Sequence, residues 1–476
     1  MEYHDTYYLN ASEALKNALQ NNKVLAQNKT VSALQICYYS GQKIENTPQN
    51  CIHVPFETIV AFFSTTKYRI PKVVETSNDS LKNQFYEKLR EVENILNQKK
   101  EKLYQEIKNL RPDFQDKKLR IFAYGCRETV LIKYFMQDII EASRDLGHET
   151  YLHTQINQLE ACSEVSYLEA LRDFNPHVTI NINHFNNHFL NESIFNFVWF
   201  QDFTPQLMKH EKPFLRKRDY IFSLITGLMQ FLEQKGIKNE ILPFMINPNL
   251  YKPRANIKKE KKIVFIGTSY ATRVKDIQDD QDYDKVYLDA VKIFEERSYL
   301  KHTEHENSEI FYLMQKHNKS QEYIENIYGY LMRDYCVEKL CSLDNTHYKI
   351  EIYGQGWENN SIITPFYKGI VEHGEEVSKI YNSATYGYCP GGYVLMQRTL
   401  ECAFSETIPL VLDARADKQD IYDKRIEESI EFFHINTLEQ ILKKEPKTKS
   451  FDLIKKQYSY KHFINRCIEI IQKELS

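Results

Sequence analysis

Residues 378–413 read SKIYNSATYGYCPGGYVLMQRTLECAFSETIPLVLD. The order is helix (Glu375 to Ser383), strand (Tyr386 to Cys389), a Pro390-Gly391-Gly392 break, helix (Val394 to Ser405), then the apolar strand Ile408 to Leu412. The apolar spacing switches between periods of about 3.6 and 2, as a β-α-β unit requires. Gly391 and Gly392 have access to positive φ and bare amides. In a doubly wound sheet ligands sit at the carboxyl ends of the strands, so the break is the place to look for a site. A helix starting after Gly392 would offer unpaired amides and a positive dipole end to a phosphate. Arg398 and Glu401, three apart, share one face of that helix with Val394 and Ser405, while Met396, Leu400, Ala403 and Phe404 form the buried face. Amides, a cation and an acceptor in that order suit the phosphates and sugar hydroxyls of a nucleotide. An ordinary Arg–Glu pair on a surface helix is the competing reading.

Working outward, the chain of 476 residues is long enough for two or three domains. It is 42% hydrophobic and 27% charged, which supports large cores. A net charge of −3 leaves no nucleic-acid footprint, and no apolar run approaches the length of a membrane span. The start, MEYHDTYYLNASEALK, lacks the basic and apolar regions of a signal peptide. Nine scattered cysteines without CxxC spacing read as reduced thiols, so a cytoplasmic protein is expected.

Upstream, Lys118–Tyr124, Thr150–His153, Val178–Ile182, Phe197–Phe200 and Tyr220–Ser223 read as strands, with helices at 129–145 and 164–173. This alternation predicts a parallel sheet and one Rossmann-like domain over 117–245. Prolines 243, 248 and 253 mark a hinge. A second Rossmann-like domain spans 246–450, with strands Lys261–Ile266 and Tyr348–Tyr353 and a charged helical insertion at 276–345. Residues 415–445 read as mostly helical, and an amphipathic helix closes the chain over 451–476. Residues 1–116 form an accessory region: strands are expected at Val31–Tyr39 and Ile59–Phe63, then a long polar helix, Ser80 to Lys108, read as a solvated spacer or partner-binding arm. The fold class is therefore α/β, two Rossmann-like domains with an N-terminal accessory region and a C-terminal helix.

The chain resembles a GT-B glycosyltransferase of the large group-1, family-4-like set, and in particular its spore-maturation-protein-like branch. The resemblance is carried by Leu242–Pro253, Val264–Arg273, Ile352–Trp357, Ile380–Ala384 and Arg398–Glu401, and covers about residues 118–413. It implies a nucleotide-sugar donor in the C-terminal domain and an acceptor in the N-terminal one. It places Glu401 on ribose hydroxyls, Gly391 and Gly392 against the diphosphate, and Arg273, just past Gly267 at the end of the first donor-domain strand, near the phosphates. The two-glutamate motif of many members has its first Glu eight positions before the second; here that position is Tyr393. The glycine that usually follows the helix is replaced by Glu406.

Beyond the resemblance, His184 and Asp202 each leave a strand of the first domain and are candidate catalytic bases. A polar loop histidine and a turn-capping aspartate are the competing readings. His184 and His188 lack a partner carboxylate for a metal. Trp199 is a sugar platform or a core residue, and Trp357 and Tyr367 more often core than cleft wall. Arg127 and Lys368 are loop cations within reach of phosphate. Asp280-Gln-Asp282-Tyr-Asp284 lies in a charged run and reads as solvated, as does His302-Thr-Glu-His305. No cofactor is expected: transfer would be metal-independent, with Arg, Lys and the helix dipole in place of a cation.

The reading is a glycosyltransferase moving a sugar from a nucleoside-diphosphate sugar, a UDP-sugar by expectation, to a glycan, lipid-linked or protein acceptor, as in bacterial surface glycosylation. Two rivals share the architecture. A nucleotide-sugar epimerase would convert the donor without an acceptor. A non-catalytic scaffold would use residues 1–116 and the insertion to self-associate or bind a protein partner.

Overall fold

The computed structural model describes residues 5–9, 13–17, 35–115, 117–125, 130–155, 157, 159–209, 213–297, 308–344, 347–418 and 420–476. Two compact units divide the chain: Met1–Phe200 with Thr204–Ile221, and Gln201–Phe203 with Phe222–Ser476. The chain is α/β throughout.

The first unit opens on a sheet that the sequence reading did not assemble. Strands β1 (Thr6–Tyr8), β2 (Cys37–Tyr39), β3 (Cys51–His53) and β4 (Val73–Glu75) pair in the order β3-β2-β1-β4, all parallel. Of the expected strand Val31–Tyr39, residues 31–34 lie outside the described residues. Ile59–Phe63 is a short helix, not a strand. Ile59 and Phe63 lie four apart, so one helical turn buries both. The long helix, Asp79–Lys108, is capped by Asn78, whose Oδ1 accepts from the Leu81 amide at 3.1 Å. It is not a solvated spacer. Phe85 and Val92 pack with Tyr7, Tyr38 and Val74 under the sheet, and Leu103 and Ile107 pack against Leu168 and Leu171 of helix Glu164–Phe174.

The second sheet holds β5 (Arg120–Tyr124), β6 (Glu149–His153), β7 (Val178–Ile182), β8 (Phe195–Phe200), β9 (Asp219–Ser223) and β10 (Asn239–Ile241), in the order β10-β9-β8-β7-β5-β6. Pairing is parallel across β6-β5-β7-β8. β7 and β8 are buried at every position, and the polar Thr179, Asn181 and Asn196 among their apolar residues are bonded to one another, Thr179 and Asn181 both donating to the Asn196 side chain at 2.9 Å. Helices Val130–Asp145 and Glu164–Phe174 supply the crossovers.

The third sheet, wholly in the second unit, orders β11 (Glu260–Ile266), β12 (Lys349–Tyr353), β13 (Ala384–Cys389), β14 (Ile408–Leu412) and β15 (Glu431–Phe433) as β12-β11-β13-β14-β15, all parallel. This is the predicted second Rossmann-like sheet, with one strand, β15, that the reading placed in helix. Residues 415–445 are mainly 3₁₀ turns around that strand, with one short helix, Leu438–Leu442. The charged segment 276–345 is helical as expected, but it is a structural layer. Val286, Phe294, Leu313, Ile324, Ile327 and Leu340 pack onto Ile263, Phe265, Ile350 and Tyr388 of the sheet. The terminal helix is two helices, Asp452–Gln457 and Tyr460–Leu475. Ser459 interrupts them and caps the second, its hydroxyl accepting from the His462 amide at 3.2 Å.

Candidate functional site

The site is built where β11, β12 and β13 end. After β12, Gly354 has φ +126, and a Cβ there would stand 2.1 Å from the Gly267 carbonyl oxygen after β11. The same carbonyl accepts from the Trp357 indole at 2.7 Å. Trp357 is fully buried, a core residue and not a cleft wall. The two strand-end turns are thereby pressed together, and the chain leaving β11 is fixed from a third direction. The buried Asp334 carboxylate accepts from the Ser269 hydroxyl at 2.5 Å and from the Tyr270 amide at 2.7 Å. Burial raises the Asp334 pKa, and these two bonds oppose the rise.

Tyr270, so held, carries two guanidinium groups over its ring, Arg273 at 4.1 Å and Arg333 at 3.8 Å from the centroid. Arg333 also donates to the Thr268 carbonyl at 3.1 Å. Burial lowers its pKa, and the positive charges of Arg398 and Arg273 act in the same direction. Three arginines thus converge on the ends of β11 and β13. Arg333 was missed in the sequence because it lies in the charged segment after β11. Its only local signal is structural: it sits in a single π-helical turn, Leu331–Tyr335, a local irregularity common at functional sites.

The turn after β13 departs from expectation. Neither Gly391 nor Gly392 has a positive φ. Both are closely packed instead: a Cβ at Gly391 would fall 2.3 Å from the Met396 sulfur, and one at Gly392 3.0 Å from Met332 Cε, so the methionine tips would have to shift to admit one. The helix begins at Gln397, three residues later than read, and ends at Phe404. The Val394 amide anticipated for a phosphate donates instead, with that of Leu395, to the Asp420 carboxylate, the latter at 3.3 Å.

On that helix Arg398 and Glu401 form the anticipated pair at 2.6 Å, and Gln397 donates to the other Glu401 oxygen at 2.8 Å. The Glu401 side chain has no exposed surface, whereas Arg398 keeps 30%. The face they share is therefore partly inside the protein. Burial would lower the Arg398 pKa, but Glu401, Tyr381 and Tyr251 outweigh it and raise it. Two further residues join here without having been singled out. His373 has its pKa lowered by burial, with Glu401 opposing and Arg398 adding to the shift. Its ring centroid lies 6.2 Å from that of Tyr251, in the proline-punctuated segment 242–253.

Arg273, Gly391, Gly392, Arg398 and Glu401 are thus brought together. Tyr393 stands beside them, its pKa raised to about 12 by burial and then by Asp420, Asp417 and Asp202. Asp202 is exposed and belongs to this unit. Lys368 is exposed, its amide on the Ile352 carbonyl beside β12. His184 is exposed after β7 in the first unit. His188 lies 3.1 Å from the Tyr104 hydroxyl. Trp199 is fully buried, which rules out a sugar platform. Asp280 and Asp282 are held by Lys319, at 2.7 and 3.5 Å. Arg127 and His302–His305 lie outside the described residues. Among the described residues, no group of three or more His, Cys, Asp or Glu is arranged to hold a metal ion, and no helix is long and apolar enough to cross a membrane.

No family model matches the chain, and no curated protein matches it. Solved structures similar in part include three with known names. AviGT4, a glycosyltransferase involved in avilamycin A biosynthesis, is 11% identical with a TM-score of 0.42, over 74% of this chain and 96% of that one. Anabaena Alr3699/HepE, in complex with UDP-glucose, is 6% identical with a TM-score of 0.41, over 75% and 100%. TarM is 11% identical with a TM-score of 0.29, over 63% and 52%.

Proposed function

We propose that the second unit binds a nucleoside-diphosphate sugar and that the protein is a glycosyltransferase of the GT-B kind. The observation that supports this best is the convergence of Arg273 and Arg333 over Tyr270, with Arg398 close enough to depress the Arg333 pKa. Glu401 on Arg398 and Asp334 beside Arg333 offset part of this positive charge, and a bound anion would offset the rest. A diphosphate presents several oxygens to planar guanidinium forks, which bind them with directional hydrogen bonds. When the sugar–phosphate bond breaks, charge grows on the leaving diphosphate, and fixed cations stabilise it without a metal.

Glu401 orients Arg398 in this reading. The ribose contact that the resemblance implies would require Arg398 to move, since the carboxylate is covered. The acceptor's general base is sought at Asp202 or His184. Asp202 comes first because it already acts on Tyr393 beside the arginines. The acceptor is a hydroxyl of a glycan, lipid-linked precursor or protein.

Titration calorimetry with UDP, GDP, dTDP and ADP tests the site, with Arg333→Ala as the variant. One diphosphate should bind the wild type, and the variant, its circular dichroism unchanged, should bind about tenfold or more weakly, the worth of a charge-assisted hydrogen bond. A wild type that binds none of the four, or an Arg333→Ala protein that binds equally well, rejects the site. A new sugar nucleotide that forms without any acceptor would identify an epimerase instead.

A further inference from the structure

A cavity of about 700 Å³ opens beside the β13 turn, between Gly392 and Val394 on one side and the segment after β14 on the other. Its charged lining is balanced: Asp413, Asp420 and Glu427 against Arg415, Lys418 and Lys424. Much of that charge is already neutralised. Arg415 pairs with Asp413 at 2.7 Å and with Glu427 at 2.5 Å, and the Tyr422 hydroxyl donates to Glu427 at 3.0 Å. Summed over the lining the charges cancel, and the wall offers many donors and acceptors. Its chemistry suits a neutral, polyhydroxylated ligand, and its volume holds a sugar ring.

Among the carboxylates of the lining, Asp420 is the one outside this internal pairing. One of its oxygens, Oδ2, takes both amides, of Val394 and Leu395, while Oδ1 accepts from no group among the described residues. The carboxylate is therefore fixed in place and half unspent. It also stands where an anion would otherwise bind the turn, so the diphosphate is directed to the arginines and the cavity is left to an uncharged group. The position that carries a glutamate in relatives with the two-glutamate motif is Tyr393 here. The carboxylate that reaches this turn comes from 27 residues further along the chain.

We propose that Asp420 reads a hydroxyl of the sugar carried by the nucleotide, its Oδ1 accepting from that hydroxyl inside the cavity while Oδ2 stays on the two amides. This rests on the nucleotide-sugar reading above and makes Asp420 a specificity-determining residue of that site.

The test is calorimetry of wild type, Asp420→Ala and Asp420→Asn with paired probes: UDP and UDP-glucose, UDP and UDP-N-acetylglucosamine, GDP and GDP-mannose. In one pair the wild type should bind the sugar nucleotide about tenfold tighter than the bare diphosphate. Asp420→Ala should abolish that advantage while binding the diphosphate as well as before, or better, because two amides are released. Asp420→Asn, which can keep the amide bonds and so the fold of the turn, should lose most of the advantage too. Equal affinity for sugar nucleotide and diphosphate in the wild type, or an advantage that survives both substitutions, overturns the inference and leaves the diphosphate site standing. Absence of any nucleotide binding by the wild type overturns the proposed function instead.

Discussion

Asp420 binds a proton more tightly than an exposed aspartate does. Burial raises its pKa from 3.8 to about 6, and the amides of Val394 and Leu395 only partly oppose it. The sign of the effect on stability follows. A folded-state pKa above the unfolded one means that the folded protein holds the proton more strongly, so deprotonation between about pH 4 and pH 6 weakens the fold. The penalty is absent below about pH 4 and complete above about pH 6. At about 1.4 kcal/mol for each tenfold change in proton affinity, it amounts to at most about 3 kcal/mol. Asp420→Asn keeps an acceptor for the amides and removes the charge. Urea titrations should show the variant more stable than wild type at pH 7, by up to about 3 kcal/mol, and the gap should close by pH 4. A gap that stays constant from pH 4 to pH 7 would mean the carboxylate is not held as described. At this scale the sequence disclosed Arg398 with Glu401, because three-residue spacing on a helix makes them neighbours. It could not disclose Arg333 or Asp420. Each acts through a partner far along the chain, Tyr270 for one and Val394 for the other, and a sequence carries no sign of such a meeting.

The helix Gln397–Phe404 ends in a way that tests the local chemistry of the turn. Ser405 caps it and Glu406 takes φ +54. The sequence reading noted a glutamate where the resemblance expects glycine. The backbone still adopts the left-handed conformation that glycine would serve, at a cost of about 1 kcal/mol for a residue with a Cβ. Glu406 also pairs with Lys455 at 2.7 Å, but both side chains are partly exposed and such a pair is worth little. Glu406→Gly should therefore be more stable than Glu406→Ala by about 1 kcal/mol in urea, since both lose the pair and only glycine escapes the strain. Equal midpoints for the two variants would show that the turn relaxes. Elements of this region were legible wherever length or burial made the pattern unambiguous. The five-residue apolar run Ile408–Leu412 is a buried strand as read. Ile59–Phe63, equally short and apolar, is a helix, because a run of five carries no period and its neighbours decide. Strand β15 escaped notice for the opposite reason: Glu431–Phe433 is only three residues long and sits among turns.

Over the whole molecule, the sequence showed two parallel sheets, because their buried strands are mostly apolar and alternate with helices. It hid the four-stranded N-terminal sheet, whose strands of three residues are too short to show a pattern. It also hid the place of residues 276–345, whose charged surface masks the buried face that packs on the third sheet. That packing carries Arg333 to Tyr270 and so into the proposed site. The proposed donor site is thus assembled from three segments distant in sequence: 267–273 after β11, 328–335 in the helical layer, and 391–401 after β13. A nucleotide bound there ties all three down at once. Local openings of the ligand-bound protein must first release the ligand, so exchange of the amides it orders is slowed by the factor 1 + [L]/Kd, about 100-fold at 100 times Kd. Hydrogen exchange with and without the diphosphate found by calorimetry should therefore show slowed exchange in these three segments together, and none in β1–β4 of the first unit. Protection confined to one of the three, or centred on the N-terminal sheet, would place the ligand elsewhere and detach Arg333 from its binding.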